Sequence, residues 1–252
     1  MKNSGKQTIV FILGPTASGK SETAVRFAEI AGGEIISCDS MQVYSGMEIL
    51  TQAPSPELMK RVRHHLVGVI SLLEEFSAAS FAESAIGIVD RLILEGKTPV
   101  ISGGTGLYAK ALIDGLFPSP PKDSDFRAQL ERQAAEKGNM FIYEQLKRID
   151  PEAALKIDPQ NIRRVIRALE VFKLTGKTFS EKKTETKGLT AKYDVKLFAL
   201  KVNREVLVER IDKRVEEMFA GGLIEEVESL MGRDVSLTAS KALGISEVLQ
   251  YV

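Results

Sequence analysis

The chain has 252 residues, of which 44% are hydrophobic, and its 34 Lys and Arg balance its 34 Asp and Glu. This composition excludes a wholly disordered chain, and the zero net charge excludes a global field that would draw the protein to nucleic acid or membranes. Its one cysteine excludes an internal disulfide framework and is typical of a reducing compartment. The apolar run at residues 9–13 is too short for a secretion signal or a membrane span, so we expect a cytoplasmic protein with no membrane partner.

Strand and helix patterns alternate in the first half of the chain. Residues 8–13 (TIVFIL) form the apolar run of a buried parallel strand, and residues 18–31 have a helical composition that ends at two glycines. Further strands are predicted at residues 34–38 and 98–102, the second of them after a helix at about residues 80–95. This alternation predicts an α/β fold with a parallel, doubly wound sheet that binds ligands at the carboxyl ends of its strands.

A proline-rich stretch, FPSPPKD at residues 117–123, interrupts this alternation. Residues 122–188 then show helical patterns only. The sheet pattern resumes at residues 194–202 and is followed by a long charged helix at about residues 204–219.

These patterns predict a helical insertion within one α/β domain. We expect the α/β core to comprise residues 1–117 and 191–252, and an inserted all-helical subdomain to comprise residues 118–190. Residues 118–188 carry 15 Lys and Arg against 11 Asp and Glu, which leaves 19 against 23 in the rest of the chain. The insertion is therefore predicted to be a basic lobe on an acidic core.

A phosphate-binding loop is predicted between the first strand and the first helix. GPTASGKS matches the pattern G-x-x-x-x-G-K-[ST], and its members are Gly14, Pro15, Thr16, Ala17, Ser18, Gly19, Lys20 and Ser21. Its backbone N–H groups and Lys20 would hold a diphosphate or a nucleotide, and Ser21 is placed to ligate Mg²⁺. The loop predicts a P-loop NTPase-like sheet with helices on both faces. It leaves open whether the bound phosphate belongs to a hydrolysed nucleotide, a phosphoryl donor or a leaving diphosphate.

Two further segments are expected beside this loop. Asp39 follows the second strand, where its carboxylate would bind Mg²⁺ through water, hold a substrate hydroxyl, act as a general base or cap the following turn. The segment SGGTGLYAKALIDGL at residues 102–116 offers the hydroxyl of Thr105 at a strand end, although a simple helix start explains it equally well.

Other polar residues support weaker conclusions. Cys38 has no neighbouring histidine to activate it and is interpreted as a packed strand residue. His64 and His65 diverge along an extended chain with no cysteine or carboxylate cluster beside them, so a zinc site is not expected. The arginines of NIRRVIRALE, residues 161–170, leave both a solvated helix face and a phosphate-backbone contact open.

Four blocks occur in one order along the chain: GPTASGKS, ISCDSMQVYSGMEI, SGGTGLYAKAL and IRRVIRALEVFKLTGK. Together they strongly resemble the tRNA dimethylallyltransferases, and the likeness runs from about residue 8 to about residue 247. The resemblance implies transfer of a dimethylallyl group from dimethylallyl diphosphate to N6 of adenosine 37 in tRNA, with Mg²⁺ as cofactor. It also implies that the insertion grips the anticodon stem-loop, and nothing in the chain demands more than a monomer.

The resemblance implies roles for individual residues. Thr16 and Lys20 would contact the diphosphate during catalysis, Ser21 would face the metal, and Asp39 would be the general base on the N6 amino group. The residues implied to contact tRNA are Asp39, Ser40, Met41, Gln42, Thr105, Arg127, Arg163, Arg164, Val165, Ile166 and Arg167.

The chain also departs from the family pattern. Residues 50–54 read LTQAP where the family commonly has GTAKP, so a basic residue is missing, and Arg163-Arg164 stands where Gln-Arg is common. Family members usually continue past Val252 into a basic and aromatic segment that completes the RNA cleft. We therefore expect weaker tRNA binding than in a longer relative.

Three other functions stay open on the sequence alone. A prenyltransferase for free adenine nucleotides would not need the basic insertion. A small-metabolite kinase would also combine a phosphate loop with a strand-end aspartate, and it would consume ATP. A non-catalytic nucleotide switch or RNA-binding module would leave Asp39 without a role.

Overall fold

The computed structural model describes residues 5–117 and 120–251. Pro118 and Ser119, at the predicted proline-rich start of the insertion, lie outside the described residues. The chain divides into two compact units. The first unit ends at Asp114 and resumes at Gly188, and the second unit comprises Gly115–Lys187, so each boundary falls three residues before the predicted one.

The first unit contains a five-stranded parallel sheet with the strand order β3-β2-β4-β1-β5. Its strands are β1 (Thr8–Leu13), β2 (Gly33–Cys38), β3 (His64–His65), β4 (Thr98–Gly103) and β5 (Asp194–Ala199). Strand β3 was not predicted, because two residues are too few to show a strand period. The last strand was predicted to reach residue 202 and ends at Ala199 instead.

Helices account for most of the remaining described residues. Before the insertion, the first unit has α1 (Lys20–Ala31), α2 (Pro56–Arg61), α3 (Ala78–Leu94) and α4 (Gly106–Asp114). The second unit has α5 (Ser124–Lys137), α6 (Asn139–Ile149), α7 (Pro151–Ala154), α8 (Ile162–Thr175) and α9 (Phe179–Thr184). The first unit then continues with α10 (Leu189–Lys192), α11 (Arg204–Ala220), α12 (Leu223–Glu228), a 3₁₀ turn (Ala239–Lys241) and α13 (Ile245–Tyr251).

Strands β1, β2 and β4 are mostly buried, as their continuous apolar runs require, whereas β5 at the edge of the sheet is exposed over its last four residues. Ile9 and Phe11 of β1 pack into a large core that includes residues of α3 and α4. Val10 and Ile12 point to the opposite face and pack into a smaller core with residues of α1. The predicted α/β sheet with helices on both faces is therefore confirmed. None of the helices in the described ranges is long and apolar enough to cross a membrane.

The chain leaves the first unit and returns to it at neighbouring points. The hydroxyl of Thr190 on α10 donates a hydrogen bond to the carbonyl oxygen of Ile113 on α4, at 2.9 Å. Strand β5 then pairs along the whole length of β1, from Thr8 opposite Asp194 to Leu13 opposite Ala199. The outer neighbour of the first strand is thus supplied by a segment about 190 residues later in the chain.

The second unit has its own apolar core. Side chains of α5, α6 and α8 pack together, and the buried members include Leu130, Ile142, Leu146, Val165, Ile166 and Leu169. No strand occurs among its described residues, in agreement with the predicted helical pattern.

A buried carboxylate stands beside this core. Glu170 is fully buried and accepts hydrogen bonds from Nε and Nη2 of Arg127, at 2.7 and 2.6 Å, and from the backbone N–H of Asp123 at 2.8 Å. Arg167, three residues earlier on α8, donates to the same carboxylate. Burial alone would raise the pKa of Glu170, but the hydrogen bonds from Arg127, Arg167 and the Asp123 N–H, together with the charge of Arg167, lower it to about 2.

This arrangement predicts that acid destabilises the second unit. Because the pKa of Glu170 is lower in the folded state than its ordinary value of 4.5, the stabilisation is complete at neutral pH and is lost as the pH falls from 4.5 towards 2. At pH 7 we expect Glu170→Gln to lower the free energy of opening of this unit by about 3 kcal/mol, because two buried arginine contacts lose their counter-charge. Hydrogen exchange of α5 and α8 peptides measures this free energy.

The matched control is Glu185→Gln, which removes an exposed ion pair with Lys177 and should leave the exchange almost unchanged. Equal protection of α5 and α8 in the Glu170→Gln variant and the wild type at pH 7 would contradict the prediction.

Candidate active site

The phosphate-loop residues connect β1 to α1 in a strained conformation. Ala17 and Gly19 both have left-handed backbones, with φ angles of 60° and 84°. For alanine such a backbone costs roughly 1 kcal/mol or more, and residues of this kind concentrate at ligand sites. Helix α1 begins at Lys20, and no side chain caps its first turn. Its leading N–H groups are therefore oriented to bind an anion, as predicted from the motif.

Close backbone approaches explain two of the glycines here. A Cβ at Gly14 would lie 2.8 Å from Oγ of Ser18, and a Cβ at Gly103 would lie 2.1 Å from the carbonyl oxygen of Cys38. Only glycine lets the end of β4 approach the end of β2 so closely. The Gly14 N–H, in turn, donates to the carbonyl oxygen of Gly103, so the phosphate loop is joined to the same strand end.

Lys20 lies across its own loop. Its Nζ donates to the carbonyl oxygen of Pro15 at 3.1 Å. Burial lowers the pKa of Lys20, the carboxylate of Asp39 opposes that shift, and the guanidinium of Arg214 adds to it. Lys20 and Asp39 therefore interact electrostatically within one site, as expected from their positions after β1 and β2.

Asp39 has one of the roles that its position allowed, the cap of the following turn. One carboxylate oxygen, Oδ1, accepts hydrogen bonds from the N–H groups of Met41 and Gln42 at 2.9 and 3.4 Å, which caps the following turn. The other oxygen makes no hydrogen bond within the described part of the chain. One oxygen thus fixes the side chain, and the second is left to face a substrate.

Thr105 secures the same turn from the end of β4. Its hydroxyl accepts a hydrogen bond from the N–H of Ser40 at 3.1 Å, and its own N–H donates to the carbonyl oxygen of Cys38 at 3.2 Å. Burial raises the pKa of the Cys38 thiol to about 12, and the charge of Asp39 adds to that rise. Cys38 is therefore a packed residue, as interpreted, and not a thiolate nucleophile.

Gln42 is also held by protein contacts. Its Oε1 accepts from the hydroxyl of Ser37 at 3.1 Å, and its Nε2 donates to the carbonyl oxygens of Gln52 and Thr51 at 2.9 and 3.4 Å. The side-chain amide thus fastens the LTQAP segment to the end of β2. An adenine that contacted Gln42 would meet an amide whose two N–H groups are already engaged.

A cavity of about 20 Å³ lies between α1 and the ends of β2 and β4. Its polar lining consists of Lys20, Ser21, Ser37, Asp39, Gln42, His64 and Ser102. That volume holds about one water molecule. Ser21, the predicted magnesium ligand, is thus beside Lys20 and Asp39 as the motif implied, and no cluster of three His, Cys, Asp or Glu side chains suited to a metal occurs in the described ranges.

A single hydroxyl beside an anion site fits Mg²⁺ nonetheless. This ion keeps several waters and takes much of its coordination from substrate phosphates. Ser21 would be the protein's own ligand for such an ion, and diphosphate oxygens and water would supply the others.

Sequence reasoning missed a set of cations on α11. Arg210, Lys213 and Arg214 line an open cleft of about 370 Å³ together with Ala17 and Lys20 of the phosphate loop. Arg210 donates to the carbonyl oxygen of Ala17 at 3.4 Å. Their spacing of three and four residues was visible in the sequence. The sequence did not show that these cations face the phosphate loop, because α11 reaches the loop only through the pairing of β5 with β1.

The predicted tRNA-binding residues of the second unit fall into three groups. Val165 and Ile166 are buried in the apolar core, because helical periodicity places them on the inner face of α8. Their side chains therefore do not make the contact with tRNA that the resemblance implied. Arg127 and Arg167 are committed to Glu170. Arg163 and Arg164 are exposed, and their contact with tRNA stays a prediction.

Comparison with known proteins gives one consistent result. A family model described as IPP transferase matches residues 42–252. The chain is 45% identical to a tRNA dimethylallyltransferase of Geobacter sulfurreducens, over 98% of this chain and 80% of that protein. It is 44% identical to a tRNA dimethylallyltransferase of Geobacillus thermodenitrificans, over 97% of this chain and 78% of that protein.

Solved structures agree with these relatives. A full-length tRNA isopentenylpyrophosphate transferase from Bacillus halodurans is similar with a TM-score of 0.67 and 38% identity, over 98% of this chain and 77% of that one. A eukaryotic dimethylallyltransferase that acts on tRNA is similar with a TM-score of 0.75 and 30% identity, over 89% of this chain and 56% of that one. The chain therefore belongs to the IPP transferase family, the family of the tRNA dimethylallyltransferases.

Proposed function

We propose that this protein transfers the dimethylallyl group of dimethylallyl diphosphate to N6 of adenosine 37 in a tRNA anticodon stem-loop. The observation that carries the proposal is the pairing of Asp39 with the phosphate loop: a carboxylate with one unengaged oxygen stands beside Lys20. The bond between N6 and the allylic carbon forms, the bond from that carbon to the diphosphate oxygen breaks, and Asp39 takes the N6 proton.

The leaving diphosphate is the reacting group that most requires stabilisation by the protein. An allylic cation is stabilised by its own delocalisation, whereas the diphosphate gains negative charge as it departs. The amides at the start of α1, Lys20 and the α11 cations supply positive charge at that point. Mg²⁺ held by Ser21 would neutralise further charge on the diphosphate when bound. Thr16, exposed in the loop, adds a hydroxyl donor.

The target base must leave its stack to meet Asp39. This costs a few kcal/mol, and least in a loop of RNA. The exposed Arg163 and Arg164, on a second unit with more basic than acidic residues, are the groups proposed to contact the RNA backbone.

One experiment tests the proposal directly. The protein is mixed with dimethylallyl diphosphate, Mg²⁺ and an anticodon stem-loop that bears adenosine 37. The mass of the RNA is then measured by mass spectrometry. We expect a five-carbon addition to the RNA, and none when that adenosine is replaced by guanosine. An unchanged RNA mass, with ATP consumed on a small metabolite instead, would favour a kinase. Addition to free adenosine monophosphate but not to the stem-loop would favour a nucleotide prenyltransferase.

Arg214 is expected to bind the donor. It is half-buried beside Lys20, and burial lowers its pKa. We expect Arg214→Gln to raise the KM for dimethylallyl diphosphate about tenfold, because one charge-assisted contact is lost. The control is Arg204→Gln at the exposed start of the same helix, which does not line that cleft and for which a change of less than about threefold is expected. Equal KM values in the two variants would remove Arg214 from the donor site.

A further inference from the structure

Glu226 on α12 holds a loop that follows the Asp39 turn. Its two carboxylate oxygens accept hydrogen bonds from the backbone N–H groups of Ile49 and Leu50, at 2.9 and 2.8 Å. Neither N–H group has another hydrogen-bond acceptor among the described residues. The two residues lie 177 and 176 positions before Glu226, so a late helix fastens a loop beside the candidate active site.

The helix itself fixes the position of this carboxylate. Leu223 and Val227 are buried in the large core, and Glu226 between them is half-buried. Gly222 precedes α12 with a left-handed φ of 96°, and a Cβ there would lie 3.9 Å from Cδ1 of Ile49. The start of α12 therefore packs directly against the loop that Glu226 holds.

The same loop continues into the acceptors of the Gln42 amide. Nε2 of Gln42 donates to the carbonyl oxygens of Gln52 and Thr51, at 2.9 and 3.4 Å. Gln52 has a left-handed backbone, with a φ angle of 56°. A residue other than glycine keeps such a conformation only where its surroundings fix it. The two N–H bonds to Glu226 come two and three residues earlier and are well placed to do so.

The backbone of Gln42 completes the path to Asp39. Its N–H donates to Oδ1 of Asp39 at 3.4 Å, beside the shorter bond from the N–H of Met41 at 2.9 Å. Gln42 and Asp39 also line the same small cavity. Every step from Glu226 to Asp39 is thus either a hydrogen bond or covalent chain.

We propose that Glu226 is a positioning residue for dimethylallyl transfer. It fixes residues 49–52, whose carbonyl groups orient the amide of Gln42 and, with it, the turn that carries Asp39. This inference rests on the proposed function. Glu226 lines neither the small cavity nor the cleft at the phosphate loop. Its loss should therefore slow the transfer step and leave the binding of dimethylallyl diphosphate unchanged.

Glu226→Gln tests the inference. The glutamine side chain keeps the length of Glu226 and one acceptor oxygen, but its NH₂ group meets a backbone N–H in place of the second oxygen. We expect kcat for transfer to the stem-loop to fall about tenfold because Asp39 is less well placed, with KM for dimethylallyl diphosphate within about twofold. Glu226→Asp keeps both oxygens at a shorter reach and should retain a larger kcat than Glu226→Gln.

Glu225→Gln is the matched control. Glu225 lies in the same first turn of α12 and is exposed, and its carboxylate makes no hydrogen bond among the described residues. We expect its kcat to lie within about twofold of that of the wild type. Equal kcat values for Glu226→Gln and Glu225→Gln would overturn the inference.

A double-mutant cycle separates positioning from a general loss of stability. If Glu226 acts through Gln42, Glu226→Gln should lower kcat by less than about twofold in a protein that already carries Gln42→Met. Two effects on kcat that simply multiply would show that Glu226 does not act through Gln42, and the inference would fall.

A further measurement does not depend on turnover. The side-chain amide of Gln42 gives one pair of NH₂ signals in a nitrogen-correlated NMR spectrum, and Gln42→Met assigns the pair by its loss. We expect these protons to exchange with water severalfold faster in Glu226→Gln than in the wild type or in Glu225→Gln, because their carbonyl acceptors are released. Unchanged exchange in Glu226→Gln would refute the positioning role whatever the activity. Wild-type protein that fails to prenylate the stem-loop, while the Gln42 signals still respond to Glu226→Gln, would refute the proposed function and leave the Glu226–Gln42 network standing.

Discussion

Asp39→Asn is expected to lower kcat for dimethylallyl transfer by about 10³-fold while dimethylallyl diphosphate still binds. The amide keeps an oxygen for the N–H groups of Met41 and Gln42, so the turn after β2 stays in place. It cannot accept the N6 proton, and an adenine amine is a poor nucleophile unless that proton is removed. Steady-state kinetics with the anticodon stem-loop measure kcat, and calorimetric titration with a non-reactive thio analogue of the donor measures binding.

Two comparisons sharpen this result. Asp39→Ala removes the turn contacts as well, so it should lose activity and also some stability. Asp125→Asn changes an exposed acid of α5 and should leave kcat unaltered. If Asp39→Asn lost donor binding instead of kcat, a metal-binding role for Asp39 would replace the role of base.

Lys20→Met is expected to lower kcat/KM for the donor by 10²- to 10³-fold, with part of the loss in kcat. Among the described residues its ammonium bonds to a carbonyl of its own loop alone, at 3.1 Å, and Lys20 is the first residue of α1. The charge on the diphosphate grows as the carbon–oxygen bond breaks. Loss of the Lys20 ammonium therefore destabilises the transition state more than it destabilises the bound donor. Rapid-quench measurement of the first turnover separates the two contributions.

Lys110→Met is the matched control for the loss of one positive charge. Lys110 lies exposed on α4 and pairs with Asp114 at 2.8 Å, so rates within about twofold of the wild type are expected. A Lys20→Met variant with a normal first-turnover rate would show that the phosphate loop merely holds the donor and does not stabilise its departure.

Local patterns in the sequence were sufficient for much of the fold. Apolar runs predicted four of the five strands, and the change to helical patterns after residue 117 separated the second unit. Strand β3 was not predicted, because it has only two residues and is a strand only through its pairing with β2. The order of strands also followed from packing and not from local sequence, since β1 lies between β4 and β5.

The candidate site was predictable where a motif encodes backbone geometry. The phosphate loop, Asp39 and the loop at Thr105 meet at the same strand ends, as expected for a parallel sheet. The α11 cations could not be found, because they face the site through the pairing of β5 with β1, which is distant in sequence. At Val165, helical periodicity was the better guide than the resemblance, since a fully buried side chain cannot touch RNA. The Mg²⁺ requirement and a monomeric state stay predictions.

The pairing of β1 with β5 constrains the order in which the protein is made and folded. β1 is synthesised first, yet its outer edge stays unpaired until residues 194–199 have left the ribosome. The second unit, Gly115–Lys187, has its own apolar core and is complete by then. Domains fold as units during synthesis, so the helical unit should be folded before the sheet that carries it. An apolar strand edge exposed for so long is a target for chaperones, and slower translation across the insertion should lengthen that exposure.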